Sequence, residues 1–350
     1  MSRPVHRALP PLAIGLALLY LLNGEVMAQD APPASRPTAP AADAAAFAKI
    51  ERVCKVSRRA ILSCRGSEQG LRLLDAFLAS YPESEHREEA LFLRAASSWS
   101  LYRYKRAARD FERFLAACPE GRLAALSRSR RVNALLRSGG FREALGALDA
   151  DTETPPERQL TERAFALSYL DRSAEAVALL EASIEAGNRD RRLPSLLGQL
   201  KLIGKPLPAF SAPVYRGTGR ITEKTFLGKV LFIDFWATWC GPCVADMPAV
   251  LACYTAHREQ GFMVFGVSLD KDQGRLDGYL KSNARMDWPQ FYDGGHWKNA
   301  LAVAFDVHRI PFSLLVDREG VVRYVAARGE TTKALVERLM AERVEAPAAK

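Results

Sequence analysis

The sequence predicts two domains, an all-α helical repeat followed by an α/β fold, and three observations lead there. The 350 residues exceed what one ordinary hydrophobic core organises. Residues 47–202 are rich in Ala, Leu, Arg and Glu, poor in β-branched residues and glycine, and broken at intervals by proline or glycine. From Gly204 onward, β-branched and aromatic residues come in short runs, the texture of strands alternating with helices.

The first elements are not part of either domain. Arg3, His6 and Arg7 precede eleven apolar residues, Leu12 to Leu22, and Val26-Met27-Ala28 has the small-residue pattern of a signal-peptidase site. Residues 1–28 are therefore read as a signal peptide, with Gln29 first after cleavage. The alternative is an uncleaved anchor, but the run is about half of the roughly 20 residues a membrane-spanning helix needs. Residues 29–46, dominated by alanine and proline, are expected to be an extended linker.

Within 47–202, helices are expected at about 70–80, 85–102, 105–117, 123–138, 142–148, 156–170, 174–186 and 191–200. Two landmarks recur at an offset of 37 residues: Tyr81-Pro82 returns as Cys118-Pro119, and Tyr104-Lys105-Arg106-Ala107-Ala108 as Phe141-Arg142-Glu143-Ala144-Leu145. A weaker third copy begins at Arg172. Paired short helices with small residues at their crossing resemble the tetratricopeptide family. That resemblance implies a surface for docking a protein partner.

In the second domain, 203–345, the reading is a short strand or hairpin over 214–222, strand 230–235, helix 242–259, strand 263–268, helices 274–283 and 296–305, strands 312–316 and 321–326, and helix 331–343. Residues 346–350 are a tail. Asp317-Arg318-Glu319-Gly320 turns the last two strands into a hairpin.

The chemistry lies at the junction of the first long strand and helix. Trp239-Cys240-Gly241-Pro242-Cys243 places two thiols one helical turn apart. Cys240 falls where the helix begins, beside unpaired backbone N–H groups and the positive end of the dipole, which favours the thiolate. Cys240 is thus the candidate nucleophile and Cys243 the resolving thiol. Gly241 and Pro242 shape the turn, Pro242 sitting early in the helix where its missing N–H costs nothing. A zinc half-site would need two more ligands, and the sequence has no second Cys-x-x-Cys. No metal and no cofactor are expected.

Residues Phe232 to Cys243, with the Gly204 to Phe210 entry segment, Gly266-Val267-Ser268-Leu269-Asp270 and Ile310-Pro311, resemble the thioredoxin superfamily over about 204–345, specifically its secreted TlpA/ResA-like branch. The resemblance implies a thioredoxin-like fold and an exported, periplasmic thiol–disulfide oxidoreductase. It also implies a cis Ile310–Pro311 bond facing the disulfide. Asp234, an acid in an apolar strand, would exchange a proton with the resolving thiol, its pKa raised by burial. Trp239 would be a surface platform for peptide substrates. Thioredoxin carries a lysine near this aspartate, and here Gly266 occupies the matching neighbourhood. The implied partners are exported proteins with disulfides, such as apocytochrome c or a copper-site assembly protein, and a membrane-bound electron donor. The Gly-Pro dipeptide favours the reductase direction. A reading from another class makes the chain an adaptor, its second domain mainly a binding module.

The net charge of +9 does not indicate nucleic acid, because it is spread: 26 basic against 21 acidic residues over 47–200, and 20 against 16 over 201–350. Of the remaining cysteines, Cys118 and Cys253 are expected to be buried and unreactive. Cys54 and Cys64 could form a structural disulfide in an oxidising compartment. A continuous helix would hold them about 15 Å apart, so a bridge requires a chain reversal near Ser57 to Ala60. The spacing leaves both arrangements open.

Overall fold

The computed structural model describes residues 39–56 and 66–342. The signal-peptide segment and Cys64 lie outside the described residues. The helical part comprises α1 (Ala39–Cys54), α2 (Glu68–Ser80), α3 (Arg87–Ser100), α4 (Tyr104–Ala117), α5 (Ala124–Arg137), α6 (Phe141–Ala150), α7 (Pro156–Tyr169), α8 (Ser173–Glu185) and α9 (Leu193–Leu200). Sequential helices pack on one another, as expected for stacked repeats. α1 corrects one expectation, since it begins inside the 29–46 stretch read as an extended linker. Alanine is the best helix former, and Phe47, Ile50 and Cys54 give this segment a buried apolar face.

The repeat is visible in packing. Ala107, Ala144 and Ala176, each the fourth residue of its helix, are fully buried. A larger side chain there would push neighbouring helices apart. The third copy is aligned on Ser173, one residue later than Arg172. Among the described residues, no helix is long and apolar enough to cross a membrane.

The second part is built on a five-stranded sheet of order β5-β4-β3-β6-β7. Its strands are β3 (Val230–Trp236), β4 (Phe262–Ser268), β5 (Gln290–Tyr292), β6 (Phe312–Val316) and β7 (Val322–Val325). A separate hairpin joins β1 (Ser211–Pro213) to β2 (Arg220–Thr222), the hairpin alternative expected over 214–222, with its first strand lying just before residue 214. β3 is central, parallel to β4 and antiparallel to β6. Every residue of β3 is buried, which explains its nearly unbroken apolar run. The helices are α10 (Gly241–His257), α11 (Gln273–Ser282), α12 (Ala300–Ala304) and α13 (Glu330–Ala341).

The helix expected over 296–305 is instead a 3₁₀ turn, His296–Lys298, followed by short α12. Asn299 is the cause: its Oδ1 accepts from the N–H groups of Leu301 and Ala302, both at 3.1 Å, and so starts a new helix. β5 was not expected, because three residues are too few to show a period.

The two parts share one hydrophobic core running from Val132 on α5 to Leu339 on α13. Polar contacts fix their orientation. The Tyr169 hydroxyl is within hydrogen-bond distance of the carbonyls of Val325 (3.1 Å) and Ala326 (3.0 Å). Tyr324 donates to Asp171 at 2.9 Å, Arg338 pairs with the same carboxylate, and Thr331 donates to the Leu136 carbonyl.

Candidate active site

β3 delivers the chain to a turn at Ala237–Trp239, and Cys240 is the N-cap of α10. The Cys243 N–H donates to Cys240 Sγ at 3.2 Å, so one of the helix's orphan donors already points at this sulfur. Cys240 and Cys243 are joined as a disulfide, with Cα atoms 5.2 Å apart. Both are nearly buried, at 5% and 2% exposure. The turn before them is tied to the end of β4 by Asp270. Its carboxylate accepts from the Thr238 N–H (3.1 and 3.2 Å), the Thr238 hydroxyl (2.6 Å) and the Ser268 hydroxyl (2.9 Å). Reading Asp270 only as part of a family motif left this positioning role unseen.

The Ile310–Pro311 bond is cis. Pro311 lines a water-sized cavity of about 10 Å³ together with Asp234, Cys243, Asp246, Arg328 and Thr332. Burial, reinforced by Asp246 and partly offset by Arg328, pushes the Asp234 carboxyl up to about 7. Asp246, one turn beyond Cys243, is also raised by burial, against the pull of Arg328 and Arg137. Its Oδ2 is buried with no hydrogen-bond partner among the described residues. Burial in turn lowers Arg328 to about 10, with Arg137 adding like-charge repulsion.

Asp246 and Arg328 were missed by sequence reading. The signal for Asp246 was present: an acid three residues after Cys243 shares its helix face. Arg328 comes from a loop 85 residues beyond Cys243, and only the fold brings it there. Gly266 pairs with Asp234 across β3 and β4, but a side chain is excluded, since a Cβ would lie 1.9 Å from Gln290 Oε1. That oxygen accepts from the buried Trp236 indole at 3.1 Å. The cation facing Asp234 therefore enters from the loop after β7 and not from β4.

Next to Cys240 in the chain, Trp239 is 43% exposed and stacks on His296, ring centroids 5.2 Å apart, with Trp297 edge-on at 6.1 Å. The interrupted helix noted above supplies this aromatic patch, and His296 has a φ of 54°. Cys253 is buried, and its thiol is pushed up to about 11 by burial, so it is a poor nucleophile. Cys118 is partly buried and Cys54 is buried at the end of α1.

Residues 202–341 match the Redoxin family model. The thiol-disulfide oxidoreductase ResA of Bacillus thuringiensis subsp. konkukian is 30% identical over 135 residues, 39% of this chain and 75% of that protein. The chain belongs to the ResA family of thiol–disulfide oxidoreductases. The thiol:disulfide interchange protein DsbE of Pseudomonas aeruginosa is 29% identical over 124 residues, 35% of this chain and 65% of that protein. A solution structure of a thiol:disulfide interchange protein from Bacteroides sp. is 24% identical, covering 42% of this chain and 95% of that one, with a TM-score of 0.35. This ResA-family member carries α1–α9 ahead of the Redoxin match.

Proposed function

We propose that this chain is an exported reductase of disulfides in envelope proteins, acting through Cys240 and Cys243, with the helical repeat docking its partners. The observation that carries this reading is the Cys240–Cys243 disulfide at the N-terminus of α10, beside cis-Pro311 and backed by Asp234 and Asp246.

In the reduced protein, the Cys240 thiolate attacks one sulfur of a substrate disulfide. The substrate S–S bond breaks, a Cys240–substrate bond forms, and the first substrate thiolate leaves and takes up a proton. Cys243 then loses its proton to the carboxylate pair behind it and attacks Cys240 Sγ. The second substrate thiolate leaves, the substrate has gained two electrons, and the pair is oxidised. A membrane-bound dithiol donor returns the two electrons and two protons. Trp239, exposed beside Cys240, offers an apolar face to the substrate chain.

A Cys243→Ala variant keeps the attacking sulfur but cannot resolve, so it should accumulate mixed disulfides with exported proteins. Loss of those adducts in a Cys240→Ser, Cys243→Ala double variant assigns the attack to Cys240. A midpoint potential below about −200 mV supports the reductase direction, and one near about −120 mV reverses it. A chain that keeps its cellular role with Cys240→Ser is an adaptor instead.

A further inference from the structure

A cleft of about 450 Å³ opens between the helical repeat and the α/β domain. That is within the range of roughly 300–1,000 Å³ typical of ligand sites. One wall comes from α5, α7 and α9, including Arg137, Phe165, Tyr169 and Arg192. The other comes from Pro242, beside the disulfide, and from Arg309 through cis-Pro311 to Arg328. The cleft therefore runs to Pro242, between the two cysteines in the chain, and to cis-Pro311, and neither domain forms it alone.

Its charge is one-sided. Four arginines, Arg137, Arg192, Arg309 and Arg328, face one acid, Glu162. Glu162 is occupied by the Asn133 amide at 3.2 Å, and Arg192 is held by Asp190 at 2.6 Å. Arg137 lies over the Tyr104 ring at 5.5 Å. Among the described residues, Arg137, Arg309 and Arg328 make no ion pair, although other surface arginines of this chain do. Asp190 attracts Arg309, and Asp246 attracts Arg137 and Arg328, but neither acid lines the cleft, so the guanidinium groups that do line it are suited to carboxylates.

We propose that this interdomain cleft binds an acidic segment of the polypeptide substrate next to its reactive cysteine, so that the helical repeat selects substrates by charge at the active site itself. The proposal rests on the oxidoreductase reading and names its substrate class. Aromatic Phe165 and Tyr169 on the helical wall offer rings against which the aliphatic parts of such a segment would pack.

The test uses the full-length reduced protein in single-turnover reactions with three probes: a disulfide peptide flanked by Asp and Glu, the same peptide with Lys in their place, and bis(2-hydroxyethyl) disulfide. Oxidation of the Cys240–Cys243 pair is followed by tryptophan fluorescence. The expected result at low salt is at least a tenfold faster second-order rate with the acidic peptide than with the basic one, a ratio that shrinks as ionic strength rises. Arg309→Glu should reduce the ratio several-fold, while Arg309→Lys should keep most of it. Equal rates for the two peptides, with bis(2-hydroxyethyl) disulfide still reduced, overturn the charge-selective cleft and leave the oxidoreductase reading standing. Failure to reduce any of the three overturns that reading instead. Equal peptide rates accompanied by saturable inhibition with inorganic phosphate would assign the cleft to a small oxyanion, which also overturns the proposal.

Discussion

Asp234 on β3 and Asp246 on α10 line the same water-sized cavity with Cys243, and the Asp246 carboxylate raises the cost of ionising Asp234. Burial comes first, the second carboxylate next, and Arg328 offsets only part. The folded-state pKa of Asp234, about 7, lies above the unfolded value near 3.9. The folded protein thus holds a proton that the unfolded chain releases. That contribution is fully present below about pH 4 and is lost as pH rises through about 7. Asp234→Asn removes the ionisation and should stabilise the oxidised protein by up to the order of 4 kcal/mol above pH 8, with little effect near pH 4. Urea denaturation at the two pH values checks this, and an effect of equal size at both would contradict it.

Asp246 shares the cavity with Cys243 and has a buried oxygen without a hydrogen-bond partner among the described residues. Such an atom is available to take a thiol proton, directly or through one water. Asp246→Asn should slow resolution of the mixed disulfide by about 10- to 100-fold, at the lower end of general-base effects, and leave the first attack by Cys240 nearly unchanged. Stopped-flow fluorescence separates the two phases. Asp246→Glu should restore most of the second phase, and its pH profile should shift with the new carboxylate; a uniform slowing of both phases would indicate a structural role only.

How much of this was legible in the sequence depends on the distance over which each signal acts. Local signals gave the Cys-x-x-Cys turn, the buried β3 and the helix periods, because propensity and apolar spacing act within a few residues. Ile310-Pro311 was placed by resemblance to a family. What escaped was set by other elements: Asn299 interrupted an apparently continuous helix, Gln290 filled the space over Gly266, and Arg328 reached Asp234 from the loop after β7. The joint core between the repeat and the sheet was equally hidden, since no local pattern marks which apolar helix face meets another domain.

That joint core rests on a polar anchor that can be tested alone. Tyr169 is buried at the end of α7, and its hydroxyl hydrogen is shared between the carbonyls of Val325 and Ala326 just before the loop carrying Arg328. Tyr169→Phe keeps the ring against Phe141 and Phe165 but removes that donor, leaving carbonyls that water reaches poorly. The expected cost is about 1–2 kcal/mol, read as a lower denaturation midpoint. Because the freed carbonyls flank the Arg328 loop, hydrogen exchange should rise in residues 326–330 more than in β3. Exchange that rises equally across the whole sheet would mean the hydroxyl supports the fold generally and does not fix the helical repeat to the edge of the active site.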